Sequence, residues 1–338
     1  MNPGRAYYSY VLFLSAISGF CNNYYQDCYD SPVSVLAPFA PFTRKFVTAK
    51  RSIHVVVPAA GVGSRMLQDQ TCSKAAAQSD SKPKQYLNLA TSSKSGKELS
   101  ILEATLNKLS DNDAVESIIL ALHRDDRWFK KLTLAEQVRQ KVIVIEGGAT
   151  RFESVSCGLD YLSCNAKADP LVIVHDAARP CFCSNKLTEL IELSERTGRA
   201  ALLAAKVVDT VKHLRKPFEP ALPATTPSEK LSESSVDPAL NLMQTTINRD
   251  ALWLAHTPQI APLNWLREAF AFAQEQAYEV TDECSALEYH ANHLSKTSKK
   301  DGLTRMPLLV EDTLSNLKIT TIDDLRLARL IYNKDSST

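Results

Sequence analysis

Several short stretches of this 338-residue chain combine residue types able to handle a charged ligand. In Pro58-Ala59-Ala60-Gly61-Val62-Gly63-Ser64-Arg65-Met66, small residues follow an apolar run. Backbone N–H groups in such a loop can approach a phosphate chain, and Arg65 adds a planar multidentate donor. No Gly-Lys-Ser/Thr follows, so this is not a Walker A loop, and the third glycine of the dinucleotide fingerprint is missing. The plainer alternative is a tight strand-to-helix turn. Lys82-Pro83-Lys84-Gln85-Tyr86-Leu87 sets a lysine between a proline and an apolar anchor, which makes either a fixed cation or a solvated turn.

Gly147-Gly148-Ala149-Thr150-Arg151-Phe152-Glu153-Ser154 exposes main-chain donors and acceptors that can read a base edge. Thr150 or Ser154 can instead cap or line a following helix in an ordinary connection. In His175-Asp176-Ala177-Ala178-Arg179-Pro180, an Asp and an Arg three apart can orient a ligand, position a metal or pair with each other. His175 reads as a buried structural histidine rather than a base. Further on stand Asp209-Thr210-Val211-Lys212, Thr281-Asp282-Glu283 and Asn316-Leu317-Lys318-Ile319-Thr320. Asp282 and Glu283 have the simpler role of capping a helix over Ser285 to His293. Lys318 lies between two apolar residues on an expected short strand and is harder to assign to the surface.

Apolar, β-branched runs precede most of these loops: Ile53 to Val57, Ser117 to Leu122, Val142 to Ile145, Leu171 to Val174 and Ala200 to Ala204. Such runs fit strands buried on both faces. Helix-period segments alternate with them over Leu99 to Leu109, Arg127 to Arg139, Thr150 to Leu162 and Ser184 to Arg196, and a closing helix is expected over Ile322 to Tyr332. The alternation predicts an α/β fold with a mostly parallel sheet. Ligands in such sheets bind outside the carboxyl ends of the strands, which is where the loops above begin. Three segments read as insertions: Gln68 to Ser81, the proline-rich Arg215 to Asp237, and Ser295 to Arg305, a short basic loop.

The bulk numbers exclude several classes. With 39 basic and 38 acidic side chains, the chain lacks the basic excess of a nucleic-acid binder. No apolar run reaches the roughly 20 residues that span a bilayer; Tyr10 to Phe20 is too short. The eight cysteines show no paired metal spacing, and the six beyond residue 50 are expected to be reduced thiols in a cytosol-like compartment. Only 10 residues are glycine, and five of them fall at positions 61, 63, 147, 148 and 158, inside or just beyond two of the loops. Residues 1–50 differ from the rest, holding six of eleven tyrosines and five of eleven phenylalanines. Arg5, the apolar stretch and Ala16-Ile17-Ser18 fit a secretory signal, the first part of a bipartite organelle leader, or upstream sequence translated from a wrongly chosen start, and the reading preferred is that they are no part of the working protein. We expect residues 1–50 to be no part of the catalytic fold, which leaves 51–334 as one domain.

In order and spacing, the stretches PAAGVGSRM, PKQYL, GGATRFESV, VHDAARP, DTVK, HTPQ, TDECSALEY and NLKIT resemble the 2-C-methyl-D-erythritol 4-phosphate cytidylyltransferase family. The resemblance covers residues 53 to about 332. It implies a Rossmann-like nucleotidyltransferase fold with a protruding dimerisation arm over about 207–250, and transfer of CMP from CTP to a sugar-alcohol phosphate with release of pyrophosphate. It implies that Arg65 and Lys84 grip the triphosphate, that Lys318 holds the attacking and α-phosphates together, that Arg249 is a catalytic residue near the polyol phosphate, and that Ala59, Ala60, Gly61 and Gly63 contact the nucleotide. Gly148, Ala149 and Ser154 would read cytosine, with Ala149 standing where many members carry an acidic residue. Asp176, Arg179, Asp209, Thr210 and Thr281 would face the polyol phosphate, and Thr210 and Arg249 would serve the site of a second subunit. Mg²⁺ would be held mainly by the phosphates, with no protein metal ligands. A cytoplasmic homodimer is expected, without nucleic-acid or membrane partners, or a plastid-like location if the leader is genuine. Ribitol 5-phosphate cytidylyltransferases share the nucleotide half of the pattern, and a catalytically inactive nucleotide-binding relative is the reading from another class.

Overall fold

In a computed structural model, residues 51–61, 82–91, 98–166, 168–214 and 243–335 are described. Seven strands form the main sheet: β1 (Ile53–Pro58), β4 (Val115–Leu122), β5 (Val142–Glu146), β6 (Leu171–Val174), β7 (Ala201–Lys206), β10 (Trp253–Pro262) and β11 (Leu308–Glu311). Their order is β11-β7-β10-β6-β1-β4-β5, and only β10 runs antiparallel to its neighbours. The expected parallel α/β sheet is therefore present, with each apolar run forming the strand it predicted. Two short strands, β2 (Asn88–Thr91) and β3 (Glu98–Ser100), pair separately, as do β8 (Val211–Leu214) and β9 (Met243–Ile247).

Period-two alternation sorts the strand side chains onto two faces. Val55, Val57, Ile118, Leu120 and Ile173 pack toward α1 (Ile101–Ser110) and α4 (Ser184–Thr197). Val56, Ile119, Val172 and Val174 pack toward α3 (Arg151–Asn165), α5 (Leu263–Glu275) and α6 (Glu283–Leu294). A third cluster seats α8 (Ile322–Asp335) against Ile101, Ala178 and Ile319, beneath the loop that carries Lys318. Gly158 lets α3 sit directly on β1, since a Cβ there would lie 2.5 Å from Val56 Cγ1.

Three expectations are corrected. Arg127 to Arg139 is not one helix: a 3-10 turn over Phe129–Lys131 and the six-residue α2 (Glu136–Lys141) replace it. Asp126 Oδ1 accepts the N–H groups of both Trp128 (3.1 Å) and Phe129 (2.9 Å), which closes the short turn, and Leu132 and Ala135 are extended. Ser295 to Arg305 is not simply a loop, because Ser298 caps the seven-residue α7 (Lys299–Arg305). Lys318 lies in an irregular segment rather than a strand, tied down by Ile319 N–H to Ala178 O at 2.9 Å. No helix among the described residues is long and apolar enough to cross a membrane.

Candidate active site

The carboxyl ends of β1, β5, β6, β7 and β11 lie on one edge of the sheet, and the loops leaving them carry the expected residues. Ala59-Ala60-Gly61 follows β1, and the Gln85 amide clips it to the lysine loop by donating to Ala59 O at 2.9 Å. Tyr86 is fully buried and donates to Asp126 Oδ2 at 2.7 Å, which anchors the 3-10 turn Lys84–Tyr86 from below. Lys84 is thereby fixed rather than solvated, and its Nζ donates to Ile319 O at 2.9 Å. This bond brings the lysine loop onto the segment that carries Lys318.

The glycines divide by cause. A Cβ at Gly147 would come within 2.9 Å of Ala60 Cβ, and one at Gly148 within 2.2 Å of Glu153 Cβ. Packing inside the chain is therefore sufficient reason for both. At Gly61 a Cβ would meet none of the described residues within 4 Å, and the backbone there is not left-handed. Packing among the described residues does not account for that glycine; residues 62–81, which follow it, lie outside them. Ser154 is buried and donates to Thr150 O at 2.8 Å, while Thr150 caps α3 in a capping box with Glu153. Ser154 thus shapes the loop of Gly148 and Ala149 from behind.

The centre of the site is a cluster of charges around Asp176 after β6. Arg151 Nε donates to its Oδ1 at 3.0 Å, Lys318 Nζ to its Oδ2 at 2.9 Å, and Arg179 Nε to the same oxygen at 3.3 Å. Arg179 also donates from Nη1 to Asn316 O at 2.6 Å, and Thr257 Oγ1 accepts from the backbone N–H of Asp176 at 3.1 Å. Burial alone would push the Asp176 carboxyl up; Arg151, then Lys318 and Arg179, outweigh it and hold the group well below the usual carboxylate range. Arg151 reaches further, with Nη1 and Nη2 forked onto Glu283 Oε1 (2.7 Å) and Oε2 (3.0 Å). His175 is fully buried, its Nε2 facing Arg179 O at 3.1 Å and its ring edge-on to Phe182 at 4.7 Å, as expected for a structural histidine.

This assembly sits where a phosphate-bearing ligand binds in open α/β sheets, and it carries the motifs in chain order. The chain matches the family model "IspD: 2-C-methyl-D-erythritol 4-phosphate cytidylyltransferase" over residues 53–231 and 234–334. It belongs to the IspD family. The enzyme of that name from Photobacterium profundum is 34% identical over 278 residues, covering 82% of this chain and 95% of that one. A second, from Pseudoalteromonas atlantica, is 36% identical over 274 residues, covering 81% and 92%. Among solved structures, the Francisella tularensis 2-C-methyl-D-erythritol 4-phosphate cytidylyltransferase (IspD) superposes with a TM-score of 0.56 at 31% identity, covering 83% of this chain and 99% of that one.

Within this IspD-family chain the structure brings Lys84, Lys318, Asp176 and Arg179 together, with Ala59 and Gly61 linked to Lys84 through Gln85. Thr281 stands at the start of α6, two residues before Glu283; its N–H donates to Ser285 Oγ at 3.2 Å. Asp282 has the capping role, accepting from Ser285 N–H at 2.9 Å, whereas Glu283 does not cap but holds Arg151. Asp209, Thr210 and Arg249 lie at the exposed base of the β8–β9 ribbon. Arg249 Nη1 donates to Val208 O, and none of the three bonds to the Asp176 cluster among the described residues. Arg65 and Gly63 lie outside the described residues, as do the insertions expected at 68–81 and 215–237 and residues 1–50.

Sequence reasoning missed Arg151, Gln85, Thr257, Gln259 and Asn316, and gave Glu283 a cap in place of its hold on Arg151. Gln259 is the hinge of the HTPQ stretch: its amide donates to Asp282 Oδ2 at 2.7 Å and its Oε1 accepts from Cys284 N–H at 2.9 Å. Each missed residue lies inside a stretch already singled out, so proximity to named residues was the available signal. Among the described residues, no group of three His, Cys, Asp or Glu side chains is arranged to hold a metal. Asp176, the carboxylate at the centre, has both oxygens on cations.

Proposed function

We propose that the chain transfers CMP from CTP to 2-C-methyl-D-erythritol 4-phosphate, forming 4-diphosphocytidyl-2-C-methyl-D-erythritol and pyrophosphate in the non-mevalonate isoprenoid pathway. The observation that carries this reading is the convergence of Lys84 and Lys318 on one segment, next to the Asp176–Arg179 pair, at the carboxyl edge of the sheet. A phosphate oxygen of the polyol attacks the α-phosphorus in line, and pyrophosphate leaves from the opposite side. The second pKa of a phosphate monoester is about 6, so the nucleophile is largely ionised and needs no general base. The protein's contribution is positioning and charge stabilisation.

Lys84, with Arg65, stabilises charge on the α-phosphate and the leaving pyrophosphate. Lys318 holds the attacking phosphate beside it. Ala59, Ala60, Gly61 and Gly63 let the triphosphate lie against the backbone, and Gly148, Ala149 and Ser154 bound the base. Asp176, Arg179, Asp209, Thr210 and Thr281 receive the polyol. With both Asp176 oxygens on cations, the phosphates of CTP would supply most of the ligands of a Mg²⁺ ion, which would neutralise phosphate charge. The chain acts as a homodimer through the β8–β9 arm, with Thr210 and Arg249 serving the neighbouring site. Need for a CTP pool favours a cytoplasmic or plastid-like location.

Release of pyrophosphate from CTP in Mg²⁺ tests the reading, with 2-C-methyl-D-erythritol 4-phosphate and ribitol 5-phosphate supplied side by side. Turnover with the methylerythritol substrate is the expected result. Turnover with ribitol 5-phosphate alone, or with neither, overturns it.

A further inference from the structure

Three cations share Asp176, and they are not equivalent. Lys318 is the most accessible, its side chain 35% exposed against 27% for Arg151 and 10% for Arg179. It is also a point charge on a flexible stem, whereas each arginine is fixed by a second partner: Arg179 by Asn316 O and Arg151 by the Glu283 carboxylate. An arriving phosphate dianion competes for Lys318 far better than for either arginine. Once Lys318 turns to the phosphate, Asp176 Oδ2 keeps one contact, the 3.3 Å bond from Arg179, and has a lone pair free for a hydroxyl group. The remaining close hold on the carboxylate is Arg151 Nε at Oδ1, 3.0 Å away.

We propose that Arg151 is a positioning residue for the polyol phosphate: braced by its fork on Glu283, it keeps Asp176 in place when Lys318 changes partner from that carboxylate to the substrate phosphate. The inference rests on the reaction proposed above. Glu283 suits the brace. It is nearly fully buried in the first turn of α6, and its two oxygens take both terminal nitrogens of Arg151, so the guanidinium plane cannot rotate. Arg151 itself is the first residue of α3, set by the Thr150 cap. The relay therefore ties the loops after β5 and β6 and the start of α6 into one unit. A purely structural ion cluster would instead affect stability and leave both substrates equally served.

Steady-state kinetics of the full chain separate the two roles, with CTP and 2-C-methyl-D-erythritol 4-phosphate varied independently. Arg151→Lys keeps the charge but loses the fork. Arg151→Met combined with Glu283→Leu removes both charges together, so that neither is left buried and unpaired and the fold is kept. In each variant KM for the polyol phosphate is expected to rise roughly tenfold or more, the scale of loosening one charge-assisted hydrogen bond, with KM for CTP nearly unchanged. Arg151→Ala should regain part of the lost polyol affinity when millimolar guanidinium is added. Unchanged polyol KM in both variants, or equal rises in the two KM values, overturns the inference while the reaction stands. A wild-type chain that releases no pyrophosphate with this polyol overturns the reaction and the inference together.

Discussion

At the scale of single residues, the proposed reaction asks for cations held still, and Lys84 is a side chain with a backbone anchor. Lys84 is pinned at its tip by Ile319 O and at its base by the buried Tyr86. A preorganised cation of this kind is expected to contribute about 10²–10³ in kcat. Lys84→Ala should therefore lower the rate of pyrophosphate release by that factor and leave the thermal midpoint almost unchanged, because Lys84 is not a core residue. Unaltered turnover would remove Lys84 from the mechanism. His175 gives a prediction of the opposite kind, on stability alone. Burial pushes its pKa down to about 4, and the neighbouring charges only partly offset this. The unfolded chain binds the proton near pH 6.5. Above that pH the imidazole is neutral in both states; as pH falls from about 6.5 to about 4, only the unfolded state takes up the proton. Folding stability is thus lost on acidification, by about 3 kcal/mol over the window. Denaturant unfolding at pH 7 and pH 4 checks this: His175→Gln should lose less stability between the two than wild type by about that amount. Parallel losses would mean that His175 is not held neutral.

At the scale of elements, the glycines separate packing from binding in a way that two variants can test. Gly158→Ala forces α3 away from β1, since the new Cβ would lie 2.5 Å from Val56 Cγ1. Overpacking of this sort costs about 1–3 kcal/mol, so the unfolding midpoint should fall while KM for CTP holds. At Gly61 a Cβ would meet none of the described residues within 4 Å, so if this loop holds the triphosphate as proposed, Gly61→Val should leave the midpoint alone and raise KM for CTP. The reverse pattern would show that the first loop is a structural turn. Legibility in the sequence follows the same division. Strands buried on both faces were readable because Ile53 to Val57 or Leu171 to Val174 admits no other placement in a parallel sheet. The helix expected from Arg127 to Arg139 failed because one side chain, Asp126, takes two backbone N–H groups and closes the turn early. α7 was unreadable as a helix because its start depends on a Ser298 cap rather than on an apolar stripe. The site was legible as loops but not as contacts. Arg151 and Glu283 stand 132 positions apart, and no local pattern announces that the buried glutamate is answered by that arginine.

At the scale of the whole molecule, the β8–β9 ribbon buries no side chain among its described residues. Two paired strands alone are marginally stable in water. Leu214 and Met243 are 51% and 58% exposed, and Val208 at its base is 60% exposed. A second copy of the chain, related by a two-fold axis, would cover the same patch on both subunits. Sedimentation should therefore report a dimer, and Leu214→Glu combined with Met243→Glu should shift it to monomers. The further question is whose site Arg249 serves. It makes no contact with the Asp176 cluster of its own chain among the described residues, holding Val208 O instead. Mixing decides this more sharply than either variant alone. Arg249→Ala and Lys84→Ala chains are each expected to be nearly inactive. In a re-equilibrated equimolar mixture about half of the dimers are mixed, and if Arg249 acts across the interface each mixed dimer holds one intact site. Activity should then return to about a quarter of the wild-type value. If Arg249 serves its own site, every site in the mixture lacks one of the two residues, and no activity returns.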